Sequence, residues 1–410
     1  MQKIRGKKEE NRCPVCGSTN AAKILDVRGV PVFCNVLPDS REEALKAAKG
    51  DIELAFCRSC GHVFNSAFEP ARMRYSPRYE NSLHYSPAFR EYAGDLARRL
   101  VSTYDLRNKD IIEIGCGKGD FLRLLADTGN NRCLGFDPSF DPRRNGMGNR
   151  SERFALVQDE YTEKYSSCPA DFIVCRHVLE HIAEPRRFMK TIRRALGDKP
   201  QAVVFVEVPN VMFTLKDFGI WDLIYEHCGY FTESSLRHLF VETGFIPLRV
   251  SEAFGGQYIW IEAKPSFQKK NFQTTSGQIS TDTVGRHVNG FADRYRQQIS
   301  KWRKVVAELR RSGTKTVVWG AGSKGVTFLN VLNVESGIES VVDVNPHKHG
   351  HFVPGTGQRV VSPDDLSGIG PDVIITMNPL YADEIEKMID ARQLRKNSNL
   401  TLMPVGSCDA

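Results

Sequence analysis

An apolar strand that runs into a glycine loop and then into a helix occurs twice in this chain, in KDIIEIGCGKGDFLRLLAD and in TKTVVWGAGSKGVTFLN. In the first, Ile111 to Ile114 lead into Gly115, Gly117 and Gly119 and then into Phe121, Leu122, Leu124 and Leu125. In the second the glycines are Gly320, Gly322 and Gly325. A strand covered on both faces reads as a continuous apolar run, and glycines let its end turn tightly into a helix, which is the first corner of a doubly wound sheet. Two such corners require two sheets, and 410 residues exceed what one core holds. The expected fold class is α/β, with two doubly wound Rossmann-like sheets.

What precedes the first sheet is a small unit that carries CPVCGS and CRSCGHVF. Two residues between thiols let one tight turn aim both sulfurs at a single ion, and the glycine after each pair accepts a backbone conformation that a side chain resists. Cys13, Cys16, Cys57 and Cys60 therefore read as a closed tetrahedral Zn2+ site with a structural role, because four thiolates leave no coordination position for water. His62 could stand in for one sulfur, but the expectation is a solvent-exposed side chain beside the knuckle. Cys34, Cys116, Cys133, Cys168, Cys175, Cys228 and Cys408 are scattered, and buried inert thiols are the default for them.

No uninterrupted apolar run approaches the ~18 residues needed to cross a bilayer, and MQKIRGKKEENRC lacks the apolar segment of a secretion signal, so no membrane partner and a cytoplasmic protein are expected. The formal charge of +7 is modest for the length. The basic runs are short and separated (Arg143 and Arg144; Lys301, Arg303 and Lys304; Arg310 and Arg311), which reads as solvated faces rather than a nucleic-acid surface. The charge by itself permits an acidic small molecule as readily as nucleic acid.

The two glycine loops differ. The first has G-x-G-x-G spacing with Glu113 two residues ahead, and it resembles the motif of class I methyltransferases that use S-adenosylmethionine. That cofactor has no phosphate to cradle and needs room over bare backbone. The next strand ends at Asp137, about 20 residues on, where a carboxylate accepts from ribose hydroxyls. Asp159, in ALVQDEY, falls where that fold places a contact to the adenine amine, and DFIVCRHVLEHI carries His177 and His181 at its C-terminal end. Glu113, Gly115, Gly117, Gly119, Asp137, Asp159 and His177 form the expected cofactor set. The second loop has true G-x-G-x-x-G spacing, with Asp343 about 20 residues later, as in a dinucleotide site. Residues 266 to 284 are polar and rich in Ser, Thr and Gln, which marks a linker, and FADRYRQQISKWRKVVAELRR repeats apolar residues at helical intervals.

In order, these features, together with YENSLHYSPAFREYA, VEVPN, YEHCGYF and GAGSKG, resemble the three-domain C-methyltransferases that act on nucleotide-linked keto-deoxysugars. The resemblance covers nearly the whole chain. It implies a zinc-binding domain over 1–68, a methyltransferase domain over 69–265, a linker and connecting helix over 266–312, and a C-terminal Rossmann-like substrate-binding domain over 313–410. It also implies a thymidine-diphosphate 4-keto-deoxysugar as substrate, deprotonated beside the ketone and methylated on carbon. The family's base is the histidine of a Glu-His pair before an aromatic Tyr-Phe step, which is His227 here, after Glu226 and before Tyr230 and Phe231. On this reading Glu226 orients His227, Tyr225 and His181 donate to the developing oxyanion, and Tyr230 contacts substrate. Tyr75, Tyr79 and Tyr85 lie where the family keeps tyrosines that close over cofactor and sugar, and Lys324 is assigned to the nucleotide diphosphate. Where members read Tyr-His-Glu-His, this chain has its tyrosine directly before the glutamate, and Gly-Ala-Gly-Ser-Lys-Gly replaces Gly-Ala-Ser-Ala-Lys-Gly. O-methylation of a sugar or small metabolite, a bifunctional enzyme that also reduces the ketone with NAD(P)H, and a zinc-ribbon nucleic-acid methyltransferase stay open as alternatives. The chain is expected to act as a monomer or dimer.

Overall fold

The computed structural model describes residues 12–142, 153–267, 281–334, 336–395 and 400–405. Cys408, Arg143, Arg144 and positions 268–280 of the expected linker lie outside the described residues.

The N-terminal part is an antiparallel sheet of β1 (Ala21–Pro31), β2 (Lys49–Cys57) and β3 (Val63–Asn65). Both cysteine pairs sit at its end, one ahead of β1 and the other where β2 turns into β3. The sheet's fourth strand comes from far down the chain, as shown below.

The middle sheet follows the expected winding. Its parallel part consists of β4 (Asp110–Ile114), β5 (Arg132–Phe136), β6 (Phe154–Val157), β7 (Phe172–Arg176) and β8 (Val203–Pro209). After β8 the chain leaves this sheet, and β9 (Gly229–Tyr230) pairs with β3, with Val63 opposite Tyr230 and Phe64 opposite Gly229. The N-terminal sheet thus has the order β1-β2-β3-β9. A helix, Glu233–Glu242, returns the chain to β10 (Phe245–Ala253) and β11 (Tyr258–Pro265), which close one edge in antiparallel fashion. The resulting order, β10-β11-β8-β7-β4-β5-β6, reverses direction at β4, so the crevice beyond its carboxyl end is the binding position of such a sheet.

The C-terminal sheet is wholly parallel: β12 (Thr316–Trp319), β13 (Ile338–Val342), β14 (Arg359–Val361), β15 (Val373–Thr376) and β16 (Thr401–Pro404), in the order β14-β13-β12-β15-β16. The α/β class with two Rossmann-like sheets is therefore the observed one.

Helix Phe291–Arg311 joins the three parts by its apolar stripe. Phe291, Tyr295, Ile299 and Trp302 are buried in one core shared by β1, the Trp221–Tyr225 stretch and the C-terminal sheet. Phe328 is the hinge of that contact, its ring 5.2 Å from Trp302 and 4.9 Å from Trp221. Within the stretch read as linker, residues from Thr281 onward already belong to a helix, Thr281–Val288, whose Val284 enters the same core.

His62 overturns its expectation. It is 0% exposed, its ring 4.7 Å from that of Phe231 and 6.0 Å from that of Phe64. The reason is β9: once Gly229 and Tyr230 pair with β3, the following Phe231 covers the histidine.

Candidate active site

The crevice at the end of β4, β5 and β7 encloses about 760 Å³ and is walled by Glu113, Gly115, Gly117, Asp137, Asp159, Arg176, His177 and His181, with Tyr75, Tyr79, Glu80 and His84 above it. Its floor is made for bare backbone. A methyl on Gly115, at φ +73°, would lie 2.0 Å from Val178 Cγ2. At Gly117, with φ +54°, a methyl would meet nothing within 4 Å and would project into free space. Asp137 accepts from Gly117 N–H at 2.8 Å and from Ser139 N–H at 2.7 Å, which holds its carboxylate at the loop. Asp159 is turned to its own neighbours, accepting from Tyr165 Oη at 2.6 Å and paired with Lys164, which holds its carboxyl below the usual range.

Beneath the crevice lies a charged network that sequence reasoning passed over. Glu207 accepts from Arg176 Nε at 2.9 Å and from the Tyr92 hydroxyl, and lies 3.2 Å from His177 Nε2. Burial works to raise the Glu207 carboxyl, but Arg176 and His177 overcome it and hold it down at about 2. Glu113 is also buried, and with no direct partner as close it is pushed up to about 8. The signal was present as Arg176 and Glu207 in otherwise apolar strands, a pattern that asks for a buried partner. His177 follows β7 at φ 56°, and Leu179–His181 makes a single 3-10 turn, so both histidines stand beyond the strand end.

The stretch Tyr225 to Tyr230 crosses behind this turn. Cys228 N–H donates to Glu180 O at 2.9 Å, while Asn65 N–H donates to Cys228 O at 3.0 Å, so the segment is clamped between the first two sheets. His181 and His227 stand ring to ring, centroids 4.9 Å apart. His181 lines the crevice and His227 lies directly behind it, 8% exposed. His181 Nδ1 is 2.9 Å from Glu226 O and 3.0 Å from Tyr75 Oη. A carbonyl can only accept, so the bond to it puts the proton on Nδ1 and the lone pair on Nε2. His227 Nδ1 is buried without a hydrogen-bond partner. Burial, aided by the nearby His181, His177 and Lys324, pulls the His227 imidazole well below the usual histidine range, and burial brings His181 down to about 4.

The other expected site residues make the following contacts. Glu226 does not reach the His227 ring; its carboxylate accepts from Cys34 N–H at 2.5 Å and from Tyr79 Oη at 2.8 Å. Tyr225 points to the opposite side, its hydroxyl accepting from Glu69 N–H at 3.0 Å and its ring 5.4 Å from that of Phe68, so it faces the N-terminal sheet and not the crevice. Tyr225 and Glu226 are the two central residues of a turn closed by His227 N–H on Ile224 O at 3.2 Å, and their side chains leave it on different sides. Tyr230 donates to Ile224 O at 3.0 Å and packs 5.8 Å from the His227 ring. Lys324 pairs with Asp222 at 2.8 Å, near His227. Tyr85 packs against His347, in the 3-10 turn Pro346–Lys348 after β13, ring centroids 6.0 Å apart.

Among the described residues, no helix is long and apolar enough to cross a membrane. The four N-terminal thiols converge, with Cys13 Sγ 3.6 Å from Cys60 Sγ and Cys16 Sγ 3.5 Å from Cys57 Sγ.

Comparison with known proteins agrees with this layout. Residues 85–249 match a methyltransferase domain family and residues 274–404 match the C-methyltransferase C-terminal domain family. The C-methyltransferase NovU of Streptomyces niveus is 23% identical, covering 96% of this chain and 95% of that protein. The tRNA U34 carboxymethyltransferase of Trichodesmium erythraeum is 25% identical over 32% of this chain and 44% of its own length. Among solved structures, magnesium protoporphyrin IX methyltransferase of Synechocystis with bound S-adenosylmethionine matches 44% of this chain and 80% of its own at 16% identity, with a TM-score of 0.33. The chain thus carries a methyltransferase domain followed by a C-methyltransferase C-terminal domain, and it is an S-adenosylmethionine-dependent methyltransferase.

Proposed function

We propose that the enzyme methylates carbon on a nucleotide-linked 4-keto-deoxysugar, next to the ketone, with His227 as the base. The observation that carries this reading is the His227 ring: neutral, with Nδ1 free of any partner, and backed against a second neutral histidine on the crevice wall. A carbon acid requires an uncharged, positioned base, and a well-placed histidine is worth ~10²–10⁴-fold. The proton removed from the sugar carbon passes to His227 Nδ1, and the electron pair moves onto the ketone oxygen.

The donor for that oxygen is Tyr75. Tyr225 faces the other way, and His181, protonated on Nδ1, offers only a lone pair toward the His227 side. Tyr75 Oη lies against the His181 ring and lines the crevice, while Tyr79 is committed to Glu226. Glu226 acts by holding the base segment to Cys34 and Tyr79 rather than by touching the imidazole.

The bare backbone at Gly117 and the fixed carboxylate of Asp137 fit S-adenosylmethionine, with Glu113, His177 and Asp159 on the same walls. When bound, that cofactor supplies the electrophilic methyl group. The four thiols fit a structural Zn2+, since four sulfurs at the usual Zn–S length stand ~3.8 Å apart in a tetrahedron. We assign Lys324 to the nucleotide end of the substrate, where it would exchange Asp222 for phosphate.

The test is proton exchange. A thymidine-linked 4-keto sugar incubated in heavy water should take up deuterium beside the ketone with the wild-type enzyme and not with His227→Asn. Equal uptake in both, or a methyl group found on oxygen in the product, would overturn the assignment.

A further inference from the structure

Behind the crevice wall stands a group that the proposed chemistry does not use. Glu180 is 2% exposed, and its Oε2 is buried without a hydrogen-bond partner. Its Oε1 stands 4.0 Å from His181 Nε2 and 3.9 Å from His177 Nδ1, beyond direct hydrogen bonding. Ligand atoms of Glu180, His181 and His227 all lie within 4.8 Å of one another. The Glu180 carboxyl and the His181 and His227 rings thus bring three potential ligand atoms to one gap.

We infer that Glu180, His181 and His227 together form a binding site for a divalent transition-metal cation, and that occupancy of this site switches the enzyme off. Two imidazoles and one carboxylate suit Zn2+, Co2+ or Ni2+, and they do not suit Mg2+ or Ca2+, which take oxygen ligands. The outer contacts are those of a ligating histidine: His181 Nδ1 is held by Glu226 O, which directs Nε2 at the gap. The backbone fixes the spacing, because Cys228 N–H, adjacent to His227, donates to Glu180 O. Entry is from the crevice that His181 lines. A coordinated His227 has given its lone pair to the cation and cannot take a proton from carbon. The inhibitory half of the inference rests on the reading of His227 as base; the metal site itself does not.

The experiment uses the full chain with its thiolate site already filled with Zn2+, titrated with Co2+ and followed by metal content and visible absorption. The expected result is one further Co2+ per chain, with ligand-field bands but no thiolate charge-transfer band, together with loss of deuterium exchange into substrate. Glu180→Gln and, separately, His181→Asn should each weaken this second equivalent by more than about tenfold and leave the Zn2+ in place. No second equivalent in a protein that is active, or one bound unchanged by both variants, would overturn the site. A second equivalent lost in the variants but without effect on exchange would overturn the inhibitory role, and with it His227 as base, while the metal site would stand.

Discussion

The ion pair of Arg176 with Glu207 lies under the crevice floor, and Glu207→Gln tests how much of this sheet depends on it. Glu207 is 0% exposed and takes hydrogen bonds from Arg176 and Tyr92, with His177 Nε2 at 3.2 Å. Exposed pairs are worth about 0–1 kcal/mol, whereas removing one partner of a buried pair costs about 3–5 kcal/mol, because the other charge stays buried. The remaining nearby carboxyl, Glu113, is pushed up to about 8 by burial and is uncharged at neutral pH, so it offers Arg176 no immediate counter-charge. One effect offsets part of the loss: Glu113 can ionise once Arg176 is unpaired. The expected cost is therefore at the lower end of that range, about 3 kcal/mol, since the contact of the Arg176 guanidinium 4.3 Å over the Phe121 ring is present in both proteins and cancels. The assay is urea unfolding of the zinc-loaded protein by circular dichroism, the midpoint shift being multiplied by the common slope. The double replacement Arg176→Met with Glu207→Leu should lose much less than the sum of the single ones. Because Glu207 is held near 2, below an unfolded carboxyl at about 4.3, its contribution is full above the unfolded value and is lost as pH falls toward 2. A Glu207→Gln protein within about 1 kcal/mol of wild type, or a double replacement as costly as the sum, would refute the reasoning.

Tyr225→Phe should lose only one hydrogen bond, about 0.5–1.5 kcal/mol, and keep kcat, whereas Gly50→Ala puts a methyl 2.3 Å from the Tyr225 ring and should cost about 1–3 kcal/mol by overpacking. A drop in kcat of ~10² or more for Tyr225→Phe would return the phenol to the chemistry. Stripping the Zn2+ proposed for the four thiols should abolish activity, since β9 hangs on β3; hydrogen exchange should show Gly229 and Tyr230 losing protection with β3. Retained protection in the stripped protein would sink that coupling. With His227 held well below the usual histidine range and His181 at about 4, the proposed base is already neutral at pH 6, so kcat/KM should stay flat as pH falls through 6 and decline only below it. An acid limb centred near the ordinary ~6.5 would contradict the burial of the ring.

Much of this protein is written in short-range pattern. Continuous apolar runs ending in Gly115 or Gly320 predict doubly wound sheets because a strand's burial and its exit turn are both local properties. The paired C-x-x-C knuckles are legible for the same reason, and so is the stripe on helix Phe291–Arg311. The directions of side chains in the base segment are not. Tyr225 and Glu226 are adjacent, and which of them turns toward Tyr79 of the crevice wall depends on Cys34, Glu69 and Gly50, all far away along the chain. The expectation for His62 failed likewise, because the strand that buries it enters from residues 229–230. Arg176 and Glu207 each announce a buried charge, but only the parallel pairing of β7 with β8 sets them opposite each other. Local sequence decides backbone conformation, which costs and gains free energy within a few residues. The charge state and aim of a buried side chain are decided by whichever distant groups replace its water, and those are brought together only by the folded whole.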